Sequence, residues 1–313
     1  MLRMSPPGSL LAGMCTRTLR MISAVLPADP QLDRLVEILR GMGSVLVCYS
    51  GGVDSAFVLA VAHRVLGDRC IGMTAVSPSL ADFEREEAVA LAKLIGGRHE
   101  LVESNEIEDQ DYAKNNVDRC FHCKSELYRV SEQRQREWGM AFSVNGTNLD
   151  DLGDYRPGLE AAKQAGARSP LVEAGFTKAD VRRVAHLLNL PVWDKPAAAC
   201  LSSRLPYGTR VTRERLRQIG SLEQKIHELG IRQARVRWHA LGGVTGTRES
   251  AMARVEIGKD EMASAFDMRE AIVAAGQALG FAYVTLDLAG YRTGSHNEVL
   301  DRGDGRRSLP VVS

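Results

Sequence analysis

Apolar and polar positions change their period repeatedly along this chain, and the changes mark out its elements. Leu32, Leu35, Val36 and Leu39 recur at helical spacing and predict a helix over Gln31–Arg40. Ser44–Tyr49 is a compact apolar run, the pattern of a buried strand. A helix is expected over Ala56–Leu66, ending near Gly67, and a second apolar strand over Cys70–Val76. Phe83–Ile95 reads as a helix that Gly96 and Gly97 stop. A strand at His99–Val102, a helix at Lys124–Trp138 and a strand at Phe142–Asn145 follow. Strands alternating with helices imply right-handed crossovers and a parallel sheet. The expected fold class is therefore α/β, a doubly wound parallel sheet over residues 31–190.

Beyond 190 the texture changes. The stretch VWDKPAAACLSSRLPYGTRVT (192–212) combines prolines, small residues and arginine, and reads as an ordered loop. A helix at Arg213–Leu229, strands at Ala234–Trp238 and Ala253–Ile257, a helix at Asp260–Leu279 and a strand at Ala282–Leu288 predict a small α+β domain. Together, 191–300 form the second region. The Gly-rich LGGVTGTRES joins two of its strands, and 301–313 is expected to be a frayed tail. Residues 1–30 carry Arg3, Arg17 and Arg20 with short apolar patches broken by Arg, Gly and Pro. A signal or transit peptide is weighed there, but a disordered extension fits the broken apolar centre better, with Met4, Met14 and Met21 as further possible starts.

Charge narrows the partners. Forty basic and 39 acidic residues leave a net charge of +1, so nothing pulls the whole chain to nucleic acid or membrane. No apolar run reaches the roughly 18–20 residues that a bilayer requires. The six cysteines are too few for a disulfide framework, and a cytoplasmic location is expected.

Candidate chemistry begins with SGGVDS, residues 50–55, between the first strand and its helix. Glycines let backbone N–H groups approach an anion, and a helix N-terminus favours negative charge. The GxxxxGK[ST] and GxGxxG patterns are both absent there. Ser50 and Ser55 can donate to phosphate oxygens while Asp54 holds Mg2+. The hexapeptide resembles the pyrophosphate-binding loop of the N-type ATP pyrophosphatases, the PP-loop superfamily. That resemblance implies ATP cleaved between its α and β phosphates, with Ser50, Gly51, Gly52, Val53, Asp54 and Ser55 around the phosphates. Thr74, Ala75 and Val76 lie where adenine packs in such sheets, through backbone contacts. Gly146 and Thr147, in GTNLDDLGDYRPG after the fourth strand, would approach ATP, and Asp150 would help with Mg2+.

The cysteines carry the second signal. DRCFHCKSELY holds Cys120 and Cys123 with Lys124 beside them. By itself a CxxC is open between a redox pair, half a zinc site and part of an iron–sulfur site. Cys200, in WDKPAAACLSSRLPYG, sits near Lys195 and Arg204, either of which would favour its thiolate. SGGVDS, RCFHCK, NGTNLDDLGDYRPG, KPAAACLSSRLPYG, RVRWH, ARVEI and VTLDLAGYRTGSHNE, in this order, resemble the LarE family, from about residue 32 to about 300. These are ATP-dependent sulfur transferases of nickel-pincer cofactor synthesis. The resemblance implies adenylation of a carboxylate of pyridinium-3,5-biscarboxylic acid mononucleotide, followed by sulfur insertion. It gives Cys200 the position of the sulfur-bearing residue. It also implies a [4Fe-4S] cluster on Cys120, Cys123 and Cys200, with zinc on the same thiols as the alternative.

Arginine forks suit phosphates. Arg235 and Arg237 alternate on a strand and share a face. By resemblance they bind substrate phosphate with Arg204, while Glu223 and Glu256 match acids near the site and Lys124 lies near the nucleotide. A small mononucleotide is the expected partner, with no nucleic acid and no membrane, in a homo-oligomer that the family resemblance suggests is a trimer-based hexamer. The competing enzyme reading is another PP-loop adenylating enzyme such as a tRNA thiolase, against which the near-neutral charge counts.

Overall fold

The computed structural model of the chain describes residues 22–23, 25–153, 157–196, 199–241 and 250–292, without the side chain of Pro157. The expected extension (apart from its last residues), the tail, most of the 241–250 loop, Arg156 and the end of the last motif lie outside the described residues. The described chain divides into two compact units, one of 22–200 with 207–212 and one of 201–206 with 213–292.

The first unit is an α/β layer structure. Strands β1 (Val45–Cys48), β2 (Cys70–Val76), β3 (Arg98–Glu103) and β4 (Phe142–Val144) form one parallel sheet in the order β3-β2-β1-β4. This is the PP-loop type of fold, with the strand order reversing at β1, where such sheets open a ligand crevice at the strands' carboxyl ends. Side chains of β1 alternate across the sheet. Val45 and Val47 enter a core with α1 (Pro30–Met42), α2 (Val53–Leu66) and α3 (Asp82–Ile95). Leu46 and Cys48 enter a second core on the other face. That second core is closed by Tyr128 and Val130 of a long helix and Ala161 and Ala162 of a shorter one. A single helical turn, α4 (Gln110–Ala113), precedes that long helix, α5 (Arg119–Glu137).

Three helices after β4 have no counterpart in the periodicity reading: α6 (Pro157–Gln164), α7 (Pro170–Ala174) and α8 (Lys178–Leu187). Short length hides the first two. The third is fixed by a capping box in which Thr177 and Asp180 satisfy each other's backbone N–H. The start of α5 also differs from expectation. It begins at Arg119, five residues before Lys124, so both CxxC cysteines lie inside the helix, at its second and fifth residues.

The second unit pairs β5 (Ala234–Ala240) antiparallel with β6 (Ala251–Ile257), and β6 parallel with β7 (Tyr283–Leu286). α9 (Arg213–Glu228) buries Leu216, Ile219, Leu222 and Ile226 at helical spacing. The helix expected over Asp260–Leu279 is two helices, α10 (Met262–Asp267) and α11 (Arg269–Ala278). Met268, at φ −93° and ψ 9°, is the single bridging residue between them. No helix among the described residues is long and apolar enough to cross a membrane.

Candidate functional site

The phosphate loop is built from the end of β1 outward. Gly51 takes φ 74°, and a Cβ there would fall 2.8 Å from the Ala88 Cβ of α3. Only glycine meets both demands. Gly52 is the N-cap of α2 and has no side chain with which to cap it, while its own N–H donates to Ser50 Oγ at 3.4 Å. The helix thus begins with backbone N–H groups and the positive dipole end facing the crevice. The two serines set the loop's shape. Ser55 Oγ lies 3.1 Å from Ser50 Oγ, accepts from Ser50 N at 3.1 Å and donates to Gly52 O at 3.2 Å.

The loop after β4 presses against this one. A Cβ on Gly146 would lie 2.7 Å from Ser55 N and 2.9 Å from Asp54 C. Close backbone approach is therefore what glycine provides at 146. Asparagines hold the following turn: Asn145 Oδ1 accepts from Thr147 N at 3.0 Å, and Asn148 Oδ1 accepts from Asp150 N at 3.0 Å. The buried Asn148 donates through Nδ2 to Asp54 Oδ1 at 3.2 Å. On its other oxygen Asp54 meets Lys178 Nζ at 2.5 Å, and Lys178 N donates to Asp150 Oδ2 at 2.7 Å. Asp54 and Asp150, expected to share Mg2+, thus meet on one residue at the start of α8. Lys178 was not foreseen. It arrives from 124 residues downstream, although Thr177-x-x-Asp180 is a capping-box signal that marks its helix.

Thr74 is buried, and its hydroxyl is committed to Tyr49 O at 2.9 Å and His99 Nε2 at 2.8 Å. Burial lowers the pKa of that imidazole, and Glu100 opposes the shift. The β1–β2 pairing ends at Cys48↔Met73, while β2–β3 continues to Val76↔Glu103. So Thr74, Ala75 and Val76 run three residues beyond β1, and their β1-side edge faces the space beside the phosphate loop.

In a parallel α/β layer the helix that leads into β4 starts at the carboxyl ends of the strands. The start of α5 therefore brings Cys120 and Cys123 to the same sheet edge as SGGVDS. Lys124, exposed next to them, acts on both the Cys123 thiol and the Cys48 thiol at the end of β1. Gly158 of α6 passes over it, where a Cβ would lie 2.8 Å from Lys124 Cγ. Cys120 is exposed, and Cys123 and Cys200 are half-buried; none of the three is in a disulfide. Burial and the nearby Cys200 sulfur, with a smaller effect of Cys120, push the Cys123 thiol up to about 12. A thiol in that condition is protonated at neutral pH, and a bound metal is what would deprotonate it. His122, between the two cysteines in sequence, turns instead to Asp109 and Asp118, at 3.4 and 3.6 Å.

Buried beneath the cysteines lies Arg119. Its Nη1 donates to Asn115 Oδ1 at 2.5 Å, and its Nη2 lies 3.9 Å from Cys120 Sγ. Burial works against its charge, but Cys200, Cys120 and Tyr112 favour it, and its pKa is raised.

No protein-family model matches the chain. It is 35% identical over 269 residues to the pyridinium-3,5-bisthiocarboxylic acid mononucleotide synthase of Lactiplantibacillus plantarum, spanning 86% of this chain and 94% of that protein. The chain belongs to the LarE family. It is also 42% identical to an uncharacterized protein of Synechocystis sp., over 88% of this chain and 99% of that one. An uncharacterized protein of Methanocaldococcus jannaschii is 25% identical over 80% of this chain and 91% of its own length.

The second unit of this LarE-family chain gathers the arginines. Arg204 forms a two-pronged pair with Glu223, at 2.9 and 3.2 Å, and Glu223 also accepts from Val236 N at 2.9 Å. Arg237 does the same with Glu256, at 3.1 and 3.0 Å, and donates to Ser203 O at 2.7 Å. All four are buried, so Glu223 and Glu256 act as orienting counter-ions of the arginines. Arg254 joins Glu256 at 3.2 Å and Asp287 at 2.6 Å. Arg235 lies 4.7 Å over the Tyr291 ring. Burial lowers its pKa, and the Arg204 and Arg237 charges add to that.

Proposed function

We propose that the chain is an ATP-dependent sulfur transferase that converts a carboxylate of pyridinium-3,5-biscarboxylic acid mononucleotide into a thiocarboxylate. The observation that carries the proposal is one sheet edge. It holds an uncapped helix N-terminus with SGGVDS and a trio of cysteines, in a chain that is 35% identical to the bisthiocarboxylic acid mononucleotide synthase.

A carboxylate oxygen attacks the α-phosphorus of ATP. The bond from that phosphorus to the bridging oxygen breaks, and pyrophosphate leaves. Backbone N–H groups of Gly52, Val53 and Asp54, with the Ser50 and Ser55 hydroxyls, hold the leaving group; Asp54 and Asp150 would hold Mg2+, which would neutralise phosphate charge. Lys178, whose ammonium is hydrogen-bonded to Asp54, is the cation beside a loop that carries no lysine of its own. Adenine packs along the backbone of Ala75 and Val76. Arg204, Arg235 and Arg237 bind the substrate's own phosphate. A sulfur nucleophile then adds to the acyl carbon, and AMP departs with the bonding pair.

Cys120, Cys123 and Cys200 fit a [4Fe-4S] cluster: three thiols at one place, two of them one helical turn apart, are the donor set such clusters take. When bound, it would supply renewable sulfur, so that Cys200 is not consumed. The enzyme works as a homo-oligomer.

Pyrophosphate release from ATP tests the proposal. Release with the pyridinium dicarboxylate mononucleotide and not with tRNA is expected, and release with tRNA alone would replace it with a tRNA thiolase. Mass spectrometry of Cys200 across turnover checks the sulfur source. An intact residue is expected; stoichiometric dehydroalanine rules out the renewable source.

A further inference from the structure

Arg119 precedes the CxxC, and nothing in the ATP chemistry uses it. Its side chain is only 4% exposed. An arginine keeps its charge in essentially every protein setting, and a buried charge is costly unless opposite charge and good hydrogen bonds meet it. Here the guanidinium points along the first turn of α5 to Cys120 Sγ, and the Cys200 sulfur also bears on it. Its other prong is locked by Asn115, which is fully buried and held at φ 57°. That strained residue is itself pinned, because its carbonyl accepts from Gly208 N at 3.0 Å. Next to it, Ala113 O accepts from Val211 N at 2.8 Å. The segment 207–212 thus clamps the turn that aims the guanidinium. Such a device holds a cation at one point, and the Cys120 and Cys200 sulfurs are among the groups that meet it there.

We propose that Arg119 is the buried counter-cation of the three-cysteine site, aimed by Asn115 to stabilise the negative charge that the sulfur atoms carry when a cluster or other metal is bound. The proposal rests on the three cysteines acting together as ligands. It makes Arg119 a positioning residue: it binds neither ATP nor substrate, and it governs how firmly metal is held and how readily the bound group accepts an electron. Such outer partners of metal ligands change metal affinity about 10- to 100-fold when removed.

The full-length chain, Arg119→Gln and Arg119→Lys are reconstituted anaerobically with iron and sulfide. Far-UV circular dichroism confirms that each is folded. Midpoint potentials are read by redox titration followed by electron paramagnetic resonance, and retention by the rate of iron loss to a chelator. Arg119→Gln keeps a hydrogen-bond donor for Asn115 but removes the charge. It is expected to lose iron about tenfold faster and to shift the potential to more negative values, because the reduced group has lost its neighbouring cation. Arg119→Lys is expected to stay close to the parent. Equal potentials in the parent and Arg119→Gln, or equal shifts in Gln and Lys, overturn the proposal. If the parent takes up no cluster, the iron–sulfur reading fails on its own. Cobalt(II) titration, followed by thiolate-to-metal absorption, then decides the role of Arg119, with about tenfold weaker binding by Arg119→Gln expected and equal binding fatal to it.

Discussion

The two units handle charge by opposite means. In the first, the SGGVDS loop offers a helix end, two hydroxyls and backbone N–H groups, with Asp54 tied to Lys178. Little charge is buried there, and the dipole costs no desolvation. In the second, Arg204 and Arg237 are buried ions, each balanced by a two-pronged glutamate. Burying those ions is expensive, and only the near-ideal pairing offsets the expense. A helix end can be written in six residues of sequence, whereas a buried guanidinium needs a partner from another element.

The sharpest way to break this contrast is at Asp54. Asp54→Asn should lower pyrophosphate release by about 100-fold, the scale of losing one preorganised charge-stabilising group, with little change in the thermal melt. A drop below about tenfold would mean that the helix end works without its carboxylate. Next is Glu223→Ala, which leaves Arg204 charged and buried. It should cost about 3–5 kcal/mol in urea denaturation, and Glu223→Gln less, because Gln still accepts from Val236 N. A stable Glu223→Ala would place the arginines in water-like surroundings. Gly51→Ala should destabilise by about 1–3 kcal/mol, through the positive φ and the contact with Ala88, and weaken ATP binding in calorimetry. The smallest effect is at the base of Lys178. Thr177→Ala should cost about 1 kcal/mol in thermal melts. The hydrogen bond from the Thr177 hydroxyl is the largest influence on Asp180, whose carboxyl lies below its ordinary range. Its stabilisation is complete above the ordinary carboxylate pKa of about 4 and is lost as pH falls through the lowered value. The gap between the parent and Thr177→Ala should therefore narrow in acid.

Much of the first unit was legible because β1 and β2 are apolar runs and Gly67, Gly96 and Gly97 mark the helix stops. Cys70–Val76 matches β2 residue for residue. The start of α5 was not legible, since Asp118 makes no side-chain cap and sits at φ −88°, ψ 1°. No capping signal marks that boundary, so the expected helix starts only at Lys124, after the CxxC. The break at Met268 is equally silent: one residue turns while the helical periodicity runs on. Lys178 was missed because an ammonium on an amphipathic helix looks like a solvated face until Asp54 is brought to it. Glu223 carried the same ambiguity on α9. Only Arg204 and the Val236 N–H, brought against it by the fold, show that it is interior.

The contact between Gly51 and Ala88 has a consequence for transplantation. The phosphate loop is not a portable six-letter word. Its backbone lies on a neighbouring helix at a point where the side chain stops at a methyl group. Grafting SGGVDS between a strand and a helix of another α/β protein would therefore fail wherever the covering helix carries a larger residue there. A designer who moves the loop must move a seventh position with it, 37 residues away in the chain and chemically inert.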